Sequence, residues 1–300
     1  MNKRLLGFLY ATVAAALNGT IGIFSTLLLH SRLNSNDVAF LKTLIAALIL
    51  GIFLCKTSYK KQRESIINNY PAGRKFFWLK VAVCAFLGIF ISFYFETSAY
   101  NYGNASDVVI VLMASAAVSS LLFGFFLLRE RLSFSALSGA ALAIAGVFVT
   151  AWIGGNNHLL LFNSAVAGAT YGLFSVLVKK FKFAGGLFLT HLLLIFGAMY
   201  LFIPFVSTFH TIALTPPILA GLVCLAVFPT ILGFYCTIKS LQYIAPSKVQ
   251  VTELSEPIFS MLFAWCFLSQ IPTPQFFIGS VFIIVGILLM NGFIGQRQIQ

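Results

Sequence analysis

Ten windows of about twenty apolar residues follow one another along this chain, and that succession constrains its fold more than any other feature. A bilayer core about 30 Å thick is crossed by roughly 20 residues of α-helix. The windows run near Leu5 to Leu29, Asn36 to Cys55, Trp78 to Tyr100, Ala105 to Leu128, Ser133 to Trp152, His158 to Val178, Gly185 to Val206, Pro217 to Tyr243, Ser247 to Leu268 and Gln275 to Phe293. Most connections are too short to fold alone, which leaves no soluble catalytic or binding domain. The fold predicted is an all-α integral membrane protein. Composition agrees: 60% of the 300 residues are hydrophobic and 9% charged, against about 25% charged in soluble domains. The first window has Lys3 and Arg4 ahead of Ala14, Ala15 and Ala16, as a signal peptide would. Its apolar character continues to Leu29, beyond a signal core of about 7–15 residues, so it reads as an uncleaved helix.

The net charge of +12 does not by itself imply a nucleic-acid partner, because cytoplasmic loops of membrane proteins accumulate Lys and Arg. Numbering the loops sorts the basic residues. Lys3 and Arg4, the segment with Lys56, Lys60, Lys61, Arg63, Arg74 and Lys75, then Arg129 and Arg131, then Lys179, Lys180 and Lys182, then Lys248 and Arg297 fall on one side. The opposite loops hold Arg32 and the uncharged stretches "GGNN", "STFHTIALTPP" and "SQIPTPQ". The expectation is a multi-pass protein of the cell (inner) membrane with both termini cytoplasmic, which requires an even number of spans.

The chain also repeats itself. Shifted by 141 residues, "FYFETSAYNYGNASDVV" from Phe93 lies over "FYCTIKSLQYIAPSKVQ" from Phe234. A shift of 150 places "GIFS" from Gly22 on "GLFS" from Gly172, and a shift of 140 places Gly139 and Gly146 on Gly279 and Gly286. Each half then holds five spans, an odd number, so the halves insert in opposite directions. The charges follow: "RER" from Arg129 is basic, while its counterpart at "SQI" from Ser269 is uncharged. The expected architecture is ten transmembrane helices as two inverted five-helix repeats, residues 6–151 and 160–293.

Two halves of five helices, with "LLRERLSFSALSGAALAIAGV" from Leu127 following the fourth, resemble the EamA family of the drug/metabolite transporter superfamily. The resemblance covers nearly the whole chain. It implies a central cavity enclosed by helices 3, 4, 8 and 9 with 1 and 6, helices 5 and 10 packed outside, and a cargo among amino acids and other metabolites. This sequence has Gln270 where the family commonly has Glu, and Lys42 where an Arg is frequent.

The stretch "KVQVTELSEPIFSM" from Lys248 puts carboxylates inside an apolar window. On a continuous helix Gln250, Glu253, Glu256 and Ser260 form one polar stripe. A charge near the bilayer centre costs about 2.5–3.5 kcal/mol on insertion scales, so the stripe is expected to face a cavity or a partner. Pro257 has no N–H for the carbonyl of Glu253 and crowds it. Glu253 lies about 9 Å and Glu256 about 14 Å into the helix, a setting suited to a cation, a proton or a substrate ammonium; a structural ion pair is the alternative, above all for Glu253. In the first half, Ser115 and Ser119 take the positions of Glu256 and Ser260, and Glu96 sits in the outer half at a depth similar to Lys42. Lys42 either pairs with Glu96, holds a substrate carboxylate, or snorkels to the headgroups. Tyr94, Tyr100, Tyr171 and Tyr235 offer stacking faces, although most aromatics here serve packing. Pro229 and Gly88, at equivalent places in the two halves, are candidate hinges, and Gly139, Ala143 and Gly146 form a small-residue packing face. His191 reads as a hydrogen-bonding partner of a neighbouring helix, with proton relay as its alternative.

No P-loop, H-E-x-x-H, G-x-S-x-G or C-x-x-C occurs, and Cys55, Cys84, Cys224, Cys236 and Cys266 have no metal spacing. No cofactor, metal or nucleic-acid partner is expected. The reading is a secondary transporter, not an enzyme, that moves small polar metabolites, amino acids or related amines foremost, by alternating access. Proton coupling is a hypothesis for it. The alternative is a membrane-embedded enzyme acting on a lipid headgroup or metabolite with Glu253 and Glu256 as acid and base.

Overall fold

The computed structural model describes residues 3–31, 33–56, 74–103, 105–130, 133–150, 157–183, 186–208, 214–268, 274–291 and 293. Most of the loops "GGNN" and "SQIPTPQ", and the basic residues Arg32, Lys60, Lys61, Arg63, Arg131 and Arg297, lie outside them. The described elements are helical, and no strand occurs among them. They are α1 (Lys3–Asn18), α2 (Ile21–Leu29), α3 (Ser35–Lys56), α4 (Arg74–Ala85), a π-helix (Phe86–Ile91), α5 (Ser92–Ala99), α6 (Ala105–Leu128), α7 (Phe134–Thr150), α8 (His158–Lys180) and α9 (Leu187–Ser207). Then follow α10 (Pro216–Leu225), a second π-helix (Ala226–Gly233), α11 (Phe234–Tyr243), α12 (Pro246–Glu253), α13 (Glu256–Leu268) and α14 (Pro274–Asn291).

Among the described residues, 7 helical runs are long and apolar enough to cross a membrane, of which Lys3–Leu29, Phe76–Ala99 and Pro216–Tyr243 pass through an interruption without ending. Two shorter apolar helices, Phe134–Val149 and Phe277–Asn291, occupy two more of the ten expected windows. The window from Ser247 to Leu268 is split at Leu254 and Ser255 into α12 and α13. Large apolar side chains face outward, Phe126 at 72% and Ile203 at 69% exposure among them. In water such a surface drives aggregation; against acyl chains it costs nothing.

Local chemistry fixes where helices start and bend. Asn34 and Asp37 cap α3 reciprocally, the Asn34 N–H donating to Asp37 Oδ2 and the Asp37 N–H to Asn34 Oδ1, both at 2.8 Å. Asn157 caps α8 by accepting from the N–H of Leu159 and of Leu160. Pro229 lies in the second π-helix and brings no N–H; there the Thr230 hydroxyl donates to the Leu225 carbonyl at 2.8 Å. The hinge candidates Gly88 and Pro229 thus both fall within π-helical segments.

Small residues set the closest helix approaches. A Cβ at Gly139 would come 2.6 Å from the Met290 N and 2.7 Å from the Gly286 carbonyl, so α7 packs backbone to backbone on α14 through the face that the sequence marks. Helices α6 and α8 pack in the same manner, α3 lies along α9, and α1 lies along the second π-helix and α11 as α8 lies along the first π-helix and α5.

One polar junction ties the segment after α6 to the start of α12: Ser247 Oγ donates to Glu130 Oε2 at 2.7 Å. Burial pushes the half-buried Glu130 carboxyl up, opposed by the Ser247 hydrogen bond and the charges of Lys179 and Lys248. Because its folded-state value is raised, the contribution of Glu130 to stability is full at low pH and is lost as pH rises through that raised value. Glu130→Gln keeps an acceptor for Ser247 and removes the titration. We expect the variant to lose this component of the fall in thermal unfolding temperature between pH 4 and pH 8, measured by differential scanning fluorimetry.

Candidate functional site

Four interruptions of regular α-helix meet at one level of the bundle. The first, at Gly19 and Thr20 between α1 and α2, is closed locally by Thr20 Oγ1 donating to the Leu17 carbonyl at 2.7 Å. The two π-helices are the second and third. The fourth, at Leu254 and Ser255, is where Pro257 takes effect: a proline ring is not accommodated four residues beyond an α-helical carbonyl, so α12 ends and α13 begins at Glu256. Pro257 therefore occupies the first turn of a new helix instead of the middle of a continuous one, and the Ser255 carbonyl accepts from Ile258 N at 3.0 Å. The single polar stripe expected over Gln250, Glu253, Glu256 and Ser260 is thereby corrected. The break separates its two carboxylates into different surroundings.

Around these interruptions lies a cavity of about 40 Å³, whose lining includes Asn18, Lys42, Ser92, Glu96, Thr230 and Glu256 with the ring of Tyr171. Space of about 10–15 Å³ holds one water on this measure, so the cavity admits a few waters and a metabolite enters only as the helices part. Apolar wall comes from Ile21, Leu112, Met113 and Phe234. A larger concavity of about 880 Å³ between α3 and α9 contains His191 but no charged group, and its walls are apolar.

The charged groups are arranged unequally. Lys42 is 2% exposed; its Nζ lies 3.7 Å from Glu96 Oε2 and 4.4 Å from the centre of the Phe93 ring, so it turns inward and does not snorkel. Glu96 follows the first π-helix by one turn and is 6% exposed. Glu256 is 2% exposed, and its Oε2 has no hydrogen-bond partner among the described residues. Tyr100, one turn beyond Glu96, is within electrostatic reach of both carboxylates, and its buried hydroxyl has no hydrogen-bond partner there either.

Glu253 sits apart. It is fully buried, accepts from Thr237 Oγ1 at 2.6 Å and from Gln250 Nε2 at 3.3 Å, and does not line the cavity. A hydrogen-bond chain connects it back, since Tyr171 Oη donates to Thr237 Oγ1 at 3.1 Å. Thr237→Val removes a donor to a buried carboxylate and is expected to cost about 1–3 kcal/mol, read as lowered thermal stability of the purified protein. An unchanged unfolding temperature would mean that Glu253 does not need this donor.

Besides Glu253, four further expected site residues lie off the lining. Ser119 Oγ donates to the Ala169 carbonyl at 2.6 Å and ties α6 to α8. Ser115 is half-buried on the same helix. Tyr94 packs against Phe90 and Phe95 with ring centres 6.0 and 5.2 Å away. Tyr235 is half-buried beyond the lining. The lining also holds Asn18, Ser92 and Thr230, which the sequence does not single out as ligands. Asn18 carries a signal of its own, an amide midway through a 27-residue apolar run.

Helices of membrane-crossing length and a buried cavity of mixed charge make this a helical membrane protein with a polar interior. The chain belongs to the EamA-like transporter family, whose model matches residues 5–152 and 158–292, and so to the drug/metabolite transporter superfamily. It is similar to an uncharacterised transporter of Clostridium kluyveri, 25% identical over 220 residues and 70% of each chain. It is also similar to a probable terminal-alkyne amino-acid exporter of Streptantibioticus cattleyicolor, 24% identical over 188 residues, of whose length the chain spans 62% and which covers 60% of this chain. A solved crystal structure shares the fold with a TM-score of 0.76 at 18% identity, covering 96% of both chains.

Proposed function

We propose that this protein is a secondary transporter of small polar metabolites bearing a basic nitrogen, amino acids or related amines, in the cell (inner) membrane with both termini cytoplasmic. The observation that carries this reading is Glu256, buried in the cavity with its Oε2 lacking a hydrogen-bond partner among the described residues, beside the ion pair of Lys42 and Glu96. A buried carboxylate is tolerated where a cation or a proton joins it. Alternating access is supported by the paired architecture: the π-helices begin 140 positions apart, and the contacts of α1 with α11 are matched by those of α8 with α5. In this reading the repeats are residues 6–151 and 160–293, inverted, with ten spans, and Glu256, Lys42 and Glu96 act at the site. Glu253 supports it through Tyr171. Glu256 also offers a seat for a coupled proton. The name of the Streptantibioticus relative agrees with an amino-acid cargo.

The test is counterflow: purified protein in liposomes loaded with a mixed metabolite pool should accumulate labelled amino acids or amines from outside, and a pool that exchanges nothing would overturn the proposal. Orientation is checked separately. In a cysteine-free background, Gln275→Cys should react with an impermeant thiol reagent outside intact cells and Ser133→Cys should not. The reverse pattern would place the termini outside.

A further inference from the structure

Away from the central cavity, a cleft of about 310 Å³ opens between the last turns of α8 and α11. Both helices close a membrane-length run there, at Lys180 and at Tyr243. Helix ends of this kind lie at the depth of the lipid headgroups. The floor of the cleft is buried and apolar, from Val178, Phe183, Ile238 and Leu241. Its polar groups are Lys179, Lys182 and Gln242, and no acidic residue lines it among the described residues. Glu130 is within electrostatic reach of Lys179 but stands outside the lining.

The basic groups are held in different ways. Lys179 Nζ donates to the Leu241 carbonyl at 2.6 Å and to the Ile244 carbonyl at 3.1 Å, which caps the end of α11 and leaves one of its three N–H donors over. Gln242 Oε1 accepts from Lys239 Nζ at 3.2 Å and so keeps a second ammonium beside the cleft. Lys182 is exposed, and its ammonium has no hydrogen-bond or ion-pair partner among the described residues. Its φ of 54° lies in the left-handed region, where a glycine ends a helix at lower cost. Three ammonium groups thus border one recess with an apolar floor. They repel one another until an anion joins them.

We infer that the cleft binds the phosphate of an anionic phospholipid from the leaflet at which α8 and α11 end, with Lys182, Lys239 and the remaining N–H of Lys179 as donors. The glycerol and upper acyl carbons then cover the apolar floor. A free phosphate ion would meet the same ammonium groups but would cover none of that floor, and the depth of the cleft is that of lipid headgroups. A zwitterionic phospholipid brings its own cation among the lysines. Occupied, the cleft ties the α8–α9 connection to α11, beside the Ser240 hydroxyl that donates to the Gly7 carbonyl at 2.8 Å and ties α11 to α1. Binding therefore raises the unfolding temperature.

Delipidated full-length protein in an uncharged detergent is titrated with phosphatidylglycerol or with phosphatidylcholine of the same chains, and bound lipid is counted by native mass spectrometry. Half-occupancy should need about 10-fold less phosphatidylglycerol than phosphatidylcholine, and only the former should raise the unfolding temperature. Lys182→Gln should raise the phosphatidylglycerol requirement about fivefold, and Lys182→Gln combined with Lys239→Gln about 20-fold. Lys3→Gln combined with Arg129→Gln removes the same charge from exposed positions off the cleft and should change the requirement by less than about threefold. Equal binding of the two lipids, or equal losses in the two double variants, would overturn the inference and leave a diffuse basic surface. Inorganic phosphate and glycerol phosphate at millimolar concentration should leave lipid occupancy unchanged. Displacement of phosphatidylglycerol by either would assign the cleft to a soluble phosphate and overturn the lipid. Should the variant lacking both lysines not fold, Lys182→Gln, which changes an exposed side chain, decides together with the headgroup comparison.

Discussion

Replacing Glu256 by Gln is expected to lower the rate of amino-acid counterflow by 30-fold or more while the protein remains folded. The substitution keeps the shape of the side chain and its capacity to hydrogen-bond but removes the charge. Leaving a buried cation without its counter-charge costs about 2–5 kcal/mol, and about 2 kcal/mol already corresponds to that factor. Stability should not fall with activity: Glu256 is 2% exposed with a carboxylate oxygen unsatisfied, so its neutralisation relieves desolvation and breaks no hydrogen bond of that oxygen. Counterflow and accumulation driven by a pH gradient separate two roles. Loss of both marks Glu256 as a ligand of the substrate ammonium. Loss of gradient-driven accumulation alone marks it as the seat of a coupled proton. Wild-type values in both removes it from the site. Ser115→Ala, Tyr94→Phe and Tyr235→Phe serve as comparisons; each side chain lies off the cavity lining and should leave exchange within about threefold.

The sequence announces helices and membrane through the length of its apolar windows, because that signal is local. It announces Lys42, Glu96 and Glu256 for a related reason: a charge in such a window is costly wherever the helix turns, so it must meet a partner. Which residues meet is not local. Glu96 and Lys42 are read at one depth and Glu256 from the other half of the chain, yet all three line one cavity. Glu253, three positions from Glu256, does not, because Pro257 ends the helix between them. A single proline changes the periodicity on which the polar stripe depends. Ser119 lies off the lining for a different reason. A hydroxyl on a helix can satisfy a neighbouring backbone carbonyl as readily as a ligand, and only the position of α8 decides. The two π-helices are legible in part: Pro229 and Gly88 mark the positions, but not the extra residue per turn that carries Glu96 and Phe234 to the cavity.

Gly168→Leu should abolish recovery of folded protein, with a destabilisation of more than about 3 kcal/mol. A Cβ at this position would run into the Leu112 carbonyl oxygen and come 2.8 Å from its carbon and 3.0 Å from the Ala116 N. One turn on, a Cβ at Gly172 would press on the Ala116 carbonyl oxygen and lie 2.9 Å from Ser119 Cβ. These obstacles are backbone, which no rotamer change can move aside. Glycines four apart let α8 lie directly on α6, where Ala116 and Ala117 keep the facing surface low. Without a hydrophobic driving force between helices in lipid, such close contact supplies much of the association energy. The same approach positions Leu112, Met113 and Tyr171 as cavity wall, so a side chain at 168 that pried the helices apart would open the site as well as weaken the fold. Gly221→Ala is the control: its Cβ would meet only the tip of Leu28 at 3.1 Å, a side chain that can rotate away, and the expected loss is below about 1 kcal/mol. The measurement is the yield of monodisperse protein on size-exclusion chromatography together with its unfolding temperature. Wild-type yield and stability for Gly168→Leu would mean that α6 and α8 do not pack through Gly168, and the wall they give the cavity would have to be assigned elsewhere.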